Sequence, residues 1–354
     1  MEQQLSVFKD RIAAASAAGA ALRVRGGGSK DWYGETPRGE VLDTRAHAGI
    51  IDYEPTELVI TARCGTPLAE IEAALASQNQ MLAFEPPHFG SGATVGGMVA
   101  AGLSGPARAS VGSLRDFVLG AVLMDGQGQV LHFGGQVMKN VAGYDVSRLL
   151  TGSLGTLGLL LEVSIKVLPV PFAQATVQLP MVHAEAIERL NTWGGQPLPI
   201  SASLWQDGQL TVRLAGAQAA VTAARRVIGG DEVDGAPFWR AAREQTLPYF
   251  DGADAGNPLW RLSVPATAAP LDLAGPQLIE WGGAQRWLHT TAPAAKVRAI
   301  AAAAGGHATL FRGGDKTIGV FQPLAPAVSA IHRNLKTAFD PAGVFNPGRM
   351  YPDL

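Results

Sequence analysis

The sequence predicts an α+β protein, and two observations carry that expectation. Short apolar, strand-like runs are joined by hairpin turns such as Asp125-Gly126-Gln127-Gly128 and Asp207-Gly208, which make neighbouring strands antiparallel. Amphipathic helices are mixed with those hairpins, which argues against a doubly wound parallel sheet.

The elements follow in order. Leu5, Phe8 and Ile12 recur at helical spacing, while Glu2, Lys9, Asp10 and Arg11 interrupt any apolar signal core. Strand-like runs come at residues 21–24, 41–43, 58–61, 117–124, 130–133 and 160–167. One clear helix lies among them. Thr66 is placed to cap it, Pro67 suits its first turn, Glu70 favours the positive helix start, and Leu68, Ile71 and Leu75 form a buried stripe. Residues 95–103 and 154–161 are the longest apolar runs; both are short and glycine-broken, so they read as buried segments and not as membrane spans. Pro169-Val-Pro171 then punctuates the chain. Beyond it, strands are expected at 175–179, 201–205, 209–214, 259–264 and 285–289, with helices at 184–193, 217–228 and 294–304. Residues 229–257, rich in Gly, Asp and Pro, read equally as an ordered insertion or a mobile loop. A last helix at 329–338 precedes the tail. The expected organisation is a first unit over 1–171, a layered α+β unit over 172–328 with helices on one face of an antiparallel sheet, and a returning segment over 329–354.

Composition narrows the function. The 354 residues suit roughly two domains of about 150 residues. With 28 basic and 30 acidic residues there is no bulk field to attract nucleic acid or an anionic membrane. A single cysteine, Cys64, excludes an intrachain disulfide framework and a cysteine-ligated iron–sulfur cluster within this chain. Charged residues are 16 %, which suits a chain with a large core or covered faces. A cytoplasmic protein is expected, any membrane association being through partner subunits.

Glycine, 43 residues, concentrates in tight clusters. Arg25-Gly26-Gly27-Gly28-Ser29 follows a strand, and three residues without Cβ let backbone N–H groups converge on an anion. An ordinary strand-to-strand turn fits the triplet alone equally well, and no Walker A lysine follows. Thr94-Val95-Gly96-Gly97 reads as a capped helix of small residues, suited either to an extended ligand or to close helix packing. Arg115 is placed near a phosphate or in a surface ion pair. The run Gly152-Ser153-Leu154-Gly155-Thr156-Leu157-Gly158 fails as a dinucleotide fingerprint, because its spacing is wrong and no acid lies about 20 positions on.

In order, Arg25–Ser29, Pro86-Pro87, residues 93–97, Gly143-Tyr144-Asp145, residues 152–158 and Asn346-Pro347-Gly348-Arg349 resemble the vanillyl-alcohol-oxidase family of FAD enzymes, with its PCMH-type binding domain. Within it, the pattern is similar to the E-subunit family of bacterial glycolate oxidases. The resemblance implies a two-lobed FAD-binding domain, a smaller α+β cap and a C-terminal segment returning to the FAD domain. It implies that Arg25, Gly26, Gly27, Gly28 and Ser29 form the pyrophosphate loop, with Pro87, Thr94, Gly96, Gly97 and Arg115 near the cofactor. Gly152, Gly155 and Thr156 would line its adenine–ribitol side, Val163 would offer backbone contacts, and Asn346 and Arg349 would return to the flavin. Ser29 stands where covalently flavinylated relatives have histidine, so FAD is expected without a covalent link. A partner iron–sulfur subunit and a catalytic paralogue are implied, with a small 2-hydroxy acid as substrate, oxidised as glycolate is to glyoxylate.

Catalytic relatives of this family share a His-x-Gly-Asp-x-x-x-His cluster, often metal-bound. None of the seven histidines here shows that spacing, so no metal is expected. His289 and His307 are the histidines placed nearest the site by order. Arg286 and Arg312, each beside a tight glycine turn, are candidates to clamp a substrate carboxylate. Packing or surface roles suit the same arginines equally. The alternatives are a subunit that oxidises substrate and one that binds FAD for assembly or electron transfer without turnover.

Overall fold

The structure is a computed structural model that describes residues 2–135 and 145–354; the Gly143-Tyr144 motif lies outside them. Among the described residues a five-stranded sheet runs in the order Ile50–Glu54, Val59–Arg63, Leu159–Lys166, Val118–Met124 and Val130–Gly134, all neighbours antiparallel. Leu159–Lys166 is central and is apolar on both faces because both are covered. On one side Leu160, Val163 and Ile165 meet helices Leu68–Ala76 and Val95–Ala101 through Ile71, Leu75, Val95 and Val99. On the other, Leu159 and Leu161 pack on helix Glu2–Ala18 through Phe8 and Ile12.

The second sheet is antiparallel throughout and uses residues 173–312. Its order is Asp231–Val233, Ala173–Pro180, Gln209–Gly216, Ile200–Gln206, Gln277–Glu280, Gln285–His289, Leu259–Ser263 and His307–Arg312. Its two faces have different neighbours, and strand alternation sorts the side chains between them. Trp260, Leu288 and Leu310 face helix Ala294–Ala303, and Val177, Val212 and Ile279 face helices His183–Gly194 and Gln218–Ile228. Leu259, Leu278, Trp287 and Phe311 point the other way, toward Tyr33, Leu103 and Leu154 of the lobe built on the five-stranded sheet.

Three differences from the sequence reading have physical causes. Thr66 does not cap its helix: Pro67 holds that place without a side-chain bond, and Thr66 Oγ1 accepts from Gly49 N at 2.8 Å. Of the two readings left open for residues 229–257 the ordered one holds, and the difference is where it packs: beside strand Asp231–Val233, helix Gly235–Glu244 lays Trp239 and Ala242 on the lobe-facing side of the sheet, which was expected to carry no helix. Helices therefore lie on both faces. Strands Ile50–Glu54 and Gln277–Glu280 escaped the pattern, the first because it is a mostly exposed edge and the second because it is four residues long.

The C-terminal helix Pro326–Phe339 returns to the lobe built on the five-stranded sheet. Its Lys336 ammonium is buried and donates to Thr156 O at 2.8 Å, Asp340 Oδ2 at 2.6 Å and Phe345 O at 2.7 Å. Asp340 accepts in turn from Val344 N and Phe345 N. Among the described residues no helix is long and apolar enough to cross a membrane. Lys336→Met strands the fully buried Asp340 carboxylate without its cation and should cost about 3–5 kcal/mol in a denaturant titration. A loss below 0.5 kcal/mol would show that the pair does not hold the tail.

Candidate functional site

Strand Leu22–Arg25 runs into the glycine triplet, and the structure shows why glycine is needed there. A Cβ on Gly27 would fall 1.4 Å from Gly92 O, and one on Gly26 would fall 2.3 Å from Thr94 Oγ1. The two loops therefore touch backbone to backbone. Gly28 adopts φ +76°, which turns the chain back over the Arg25 side chain. Together with Ser29, Thr94 and Gly97 these residues line a cavity of about 90 Å³ whose far wall carries Asn346 and Arg349. Thr94 caps helix Val95–Ala101, accepting from Gly97 N at 3.2 Å. Arg25 and Arg23 both grip Asp31, at 2.7 and 2.5 Å.

Several expected cofactor residues are placed differently. Gly96 donates its N–H to Cys64 O at 2.7 Å, and its missing Cβ leaves room for Cys64, so it packs the lobe and does not line the cavity. Burial pushes the Cys64 thiol up, which suits a packing residue. Val163 sits in the central strand, paired on both sides with Ala62 and Ala121, so its backbone serves the sheet. Asn346 holds loops together: its Oδ1 accepts from Val24 N at 2.9 Å and its Nδ2 donates to Leu154 O at 2.6 Å. Gly155 is the residue that leaves space for that amide. The Arg349 guanidinium donates to Glu35 O and, at 2.8 Å, to Asp31 O, so it shapes the loop after the triplet. Gly152, Thr156 and Arg115 line a separate cavity of about 240 Å³ with His332 and Lys336.

Between the cofactor lobe and the large sheet lies an aromatic seam. Trp32, Phe89, Phe311 and Trp287 pack edge to face along it, with neighbouring centroids 4.7–5.3 Å apart. Two cations flank Phe89. The Arg312 guanidinium stacks 4.5 Å from the Trp32 centroid and 5.0 Å from that of Phe89, and Lys30 Nζ lies 5.5 Å from Phe89. Desolvation lowers Arg312 to about 10 and Lys30 to about 8, the latter partly offset by Glu244. Among the described residues no carboxylate pairs with either one. Lys30 was not singled out by sequence, although it follows the triplet directly.

The other catalytic candidates are corrected. Arg286 is buried on the helix-covered face, and its guanidinium donates to the carbonyls of Gly283, Ala269 and Ala268. At 2 % exposure, with each of its three guanidinium nitrogens donating to a backbone carbonyl, Arg286 is closed to a substrate. His289 is enclosed, with Nε2 2.9 Å from Tyr249 O. His307 is exposed at the start of an edge strand. The residues beside Arg286 take the lobe-facing positions instead: Gln285 and Trp287 line a small seam cavity of about 20 Å³ with Pro87, Arg261 and Glu280. Glu280 is 4 % exposed, and burial lifts its carboxyl from the ordinary 4.5 to about 7. The one sequence signal for it was an acid ending an apolar run, Leu278-Ile279-Glu280.

Comparison with known proteins then places the chain. The family model described as an FAD binding domain matches residues 7–134. The chain is 52 % identical to the glycolate oxidase subunit GlcE of Escherichia coli K12 over 333 residues, covering 94 % of this chain and 93 % of that protein. It is 31 % identical to the glycolate oxidase subunit GlcD of Bacillus subtilis over 157 residues, a third of that protein. A D-lactate dehydrogenase of Anaerostipes hadrus is 30 % identical over 136 residues, 28 % of its length. Among solved structures, alkyldihydroxyacetonephosphate synthase superposes with a TM-score of 0.64 at 15 % identity, over 96 % of this chain and 74 % of its own, which shows the shared fold.

Two outcomes test this geometry. Gly27→Ala forces the Gly92 carbonyl aside and should lower stability by about 1–3 kcal/mol, read from thermal unfolding; an unchanged midpoint would refute the close approach. Glu280 has a folded pKa above its unfolded one, so its contribution is complete below about 4.5 and is lost as pH rises through about 7. Relative to Glu280→Gln, the natural chain should therefore lose stability over that window, and parallel pH curves would contradict this.

Proposed function

The chain belongs to the family of the glycolate oxidase subunit GlcE, and on that premise we propose that it is the FAD-binding subunit of a complex that oxidises a small 2-hydroxy acid, glycolate to glyoxylate. The observation that carries the reading is 52 % identity to GlcE over 94 % of the chain, combined with a glycine cradle lined by the desolvated cation Lys30. The residues fit the cofactor. Gly26, Gly27, Gly28, Ser29, Thr94 and Gly97 form a concave backbone surface, and Lys30 lines the same cavity as the counter-charge a diphosphate needs. Ser29 offers no imidazole for a tether, so the cofactor is held without a covalent bond.

When bound, FAD supplies the two-electron sink; the chain's own residues position and neutralise charge. Arg312 and Arg261 are the arginines that reach the seam without a carboxylate partner among the described residues, and a substrate carboxylate would take that place. Trp32, Phe89 and Phe311 exclude water around it. The electrons then pass to an iron–sulfur subunit, because the sequence offers a single cysteine and no cluster ligands. A catalytic paralogue completes the assembly.

A second reading, FAD binding for assembly or electron transfer without turnover, is favoured by the burial of Arg286 and by the missing histidine cluster. One experiment separates the two. The purified chain should carry a flavin spectrum, release its flavin into the supernatant on acid precipitation, and bleach on anaerobic addition of glycolate. Bleaching that requires the partner subunits supports the second reading. A chain that takes up no FAD at all sinks both.

A further inference from the structure

The glycine cradle is joined to the opposite half of the molecule through one short chain of contacts. Helix Gly235–Glu244 belongs to the large-sheet half, where its Trp239 Nε1 donates to Thr176 Oγ1 of strand Ala173–Pro180 at 3.0 Å. Its last residue, Glu244, reaches across the boundary. Glu244 Oε2 accepts from His88 N and from Phe89 N, both at 3.0 Å, while Oε1 accepts from Arg243 Nε at 2.8 Å. Helix Leu68–Ala76 braces the same corner, with Glu72 Oε1 3.1 Å from His88 Nε2 and 3.4 Å from an Arg243 guanidinium nitrogen. On its other side the loop serves the cradle. His88 O accepts from Lys30 Nζ at 3.1 Å, and Lys30 lines the glycine cavity beside Gly28 and Ser29.

One peptide unit therefore carries both contacts. A trans peptide directs its N–H and its C=O to opposite sides, so the bond from Phe89 N to Glu244 aims His88 O away from Glu244 and toward Lys30. Phe89 sits at φ +53°, a costly conformation for a residue with a Cβ. It persists where its surroundings over-determine it, and two charge-assisted bonds to one carboxylate oxygen do so here.

Glu244 also acts by charge. Desolvation lowers Lys30 to about 8, and the Glu244 carboxylate opposes that shift. The other charged groups around Lys30 do not replace it. Arg23, Arg25 and Arg349 line the same cavity, Asp31 is paired with Arg23 and Arg25, and Arg312 stacks on the Phe89 ring.

We propose that Glu244 is a positioning residue for the cofactor: through the His88–Phe89 peptide it aims Lys30 into the cradle and keeps it charged, so tight FAD binding requires the contact between the two halves. The inference rests on the FAD reading of the cradle and extends it to a residue that lines no part of that cavity. Aim and charge are separable. Gln at 244 keeps an acceptor oxygen for the two N–H groups and loses the charge; Ala loses both.

The test strips flavin from the full chain and reads FAD affinity from flavin fluorescence during titration, at pH values below and above the Lys30 transition. The natural chain should bind more weakly as pH rises through about 8, because a diphosphate favours the ammonium form. Glu244→Gln should move that fall to lower pH. Glu244→Ala should weaken FAD binding about tenfold below the transition, an ordinary size for coupling between sites. In a Lys30→Met background the same Glu244→Ala change should alter affinity less than about twofold, because the residue through which it acts is gone. An equal loss in both backgrounds makes Glu244 a general prop of the fold and overturns the inference, as does a Gln variant whose fall with pH is unmoved. Where Glu244→Ala does not fold, the Gln arm decides alone. In each of these cases FAD uptake by the natural chain leaves the cofactor reading standing. If the natural chain takes up no FAD at any pH, that reading falls and the inference with it.

Discussion

The buried ammonium of Lys336 ties together the parts on which the site depends. It joins the C-terminal helix to Thr156 O in the glycine-rich run, to Asp340, and to Phe345 O in the tail. Taking this ion pair out of water is costly, and it persists because every donor has an acceptor and Asp340 accepts two further backbone bonds. Once the tail is anchored, Asn346 stitches strand Leu22–Arg25 to Leu154, and Arg349 holds the carbonyls after the triplet. The tail motif thus acts on the glycine loop through backbone geometry.

The seam follows from a second constraint, the two-residue period of the large sheet. One face is covered by three helices, and the other meets the cofactor lobe. Cross-lobe bonds fix the register of that contact. Arg213 grips Glu85 in bidentate fashion, Glu244 accepts from His88 N and Phe89 N, and Trp281 Nε1 donates to Gly105 O. These fixed partners leave Arg261, Arg312 and Lys30 beside aromatic rings, where desolvation lowers Arg312 and Lys30. Positive charge held in this way favours an anionic occupant, and it does so without rearrangement of the protein.

The sequence by itself determined the α+β class, the glycine triplet and capping threonine whose residues line one cavity with Gly97, and most strands within one or two residues. Those features are local: a glycine triplet, a capping threonine and an alternating run act over a few residues. Tertiary structure alone decided which side of a strand faces the cofactor lobe. Arg286 was the expected clamp, yet the pleat turns it into backbone carbonyls and turns Gln285 and Trp287 to the seam. Glu280 was illegible for the same kind of reason. Its strand is four residues long and exists through pairing with Ile200–Gln206 and Gln285–His289, and its raised carboxyl depends on a lobe more than 170 residues away in sequence. Parity and desolvation are properties of the assembled sheet and lobe, and no window of sequence contains them.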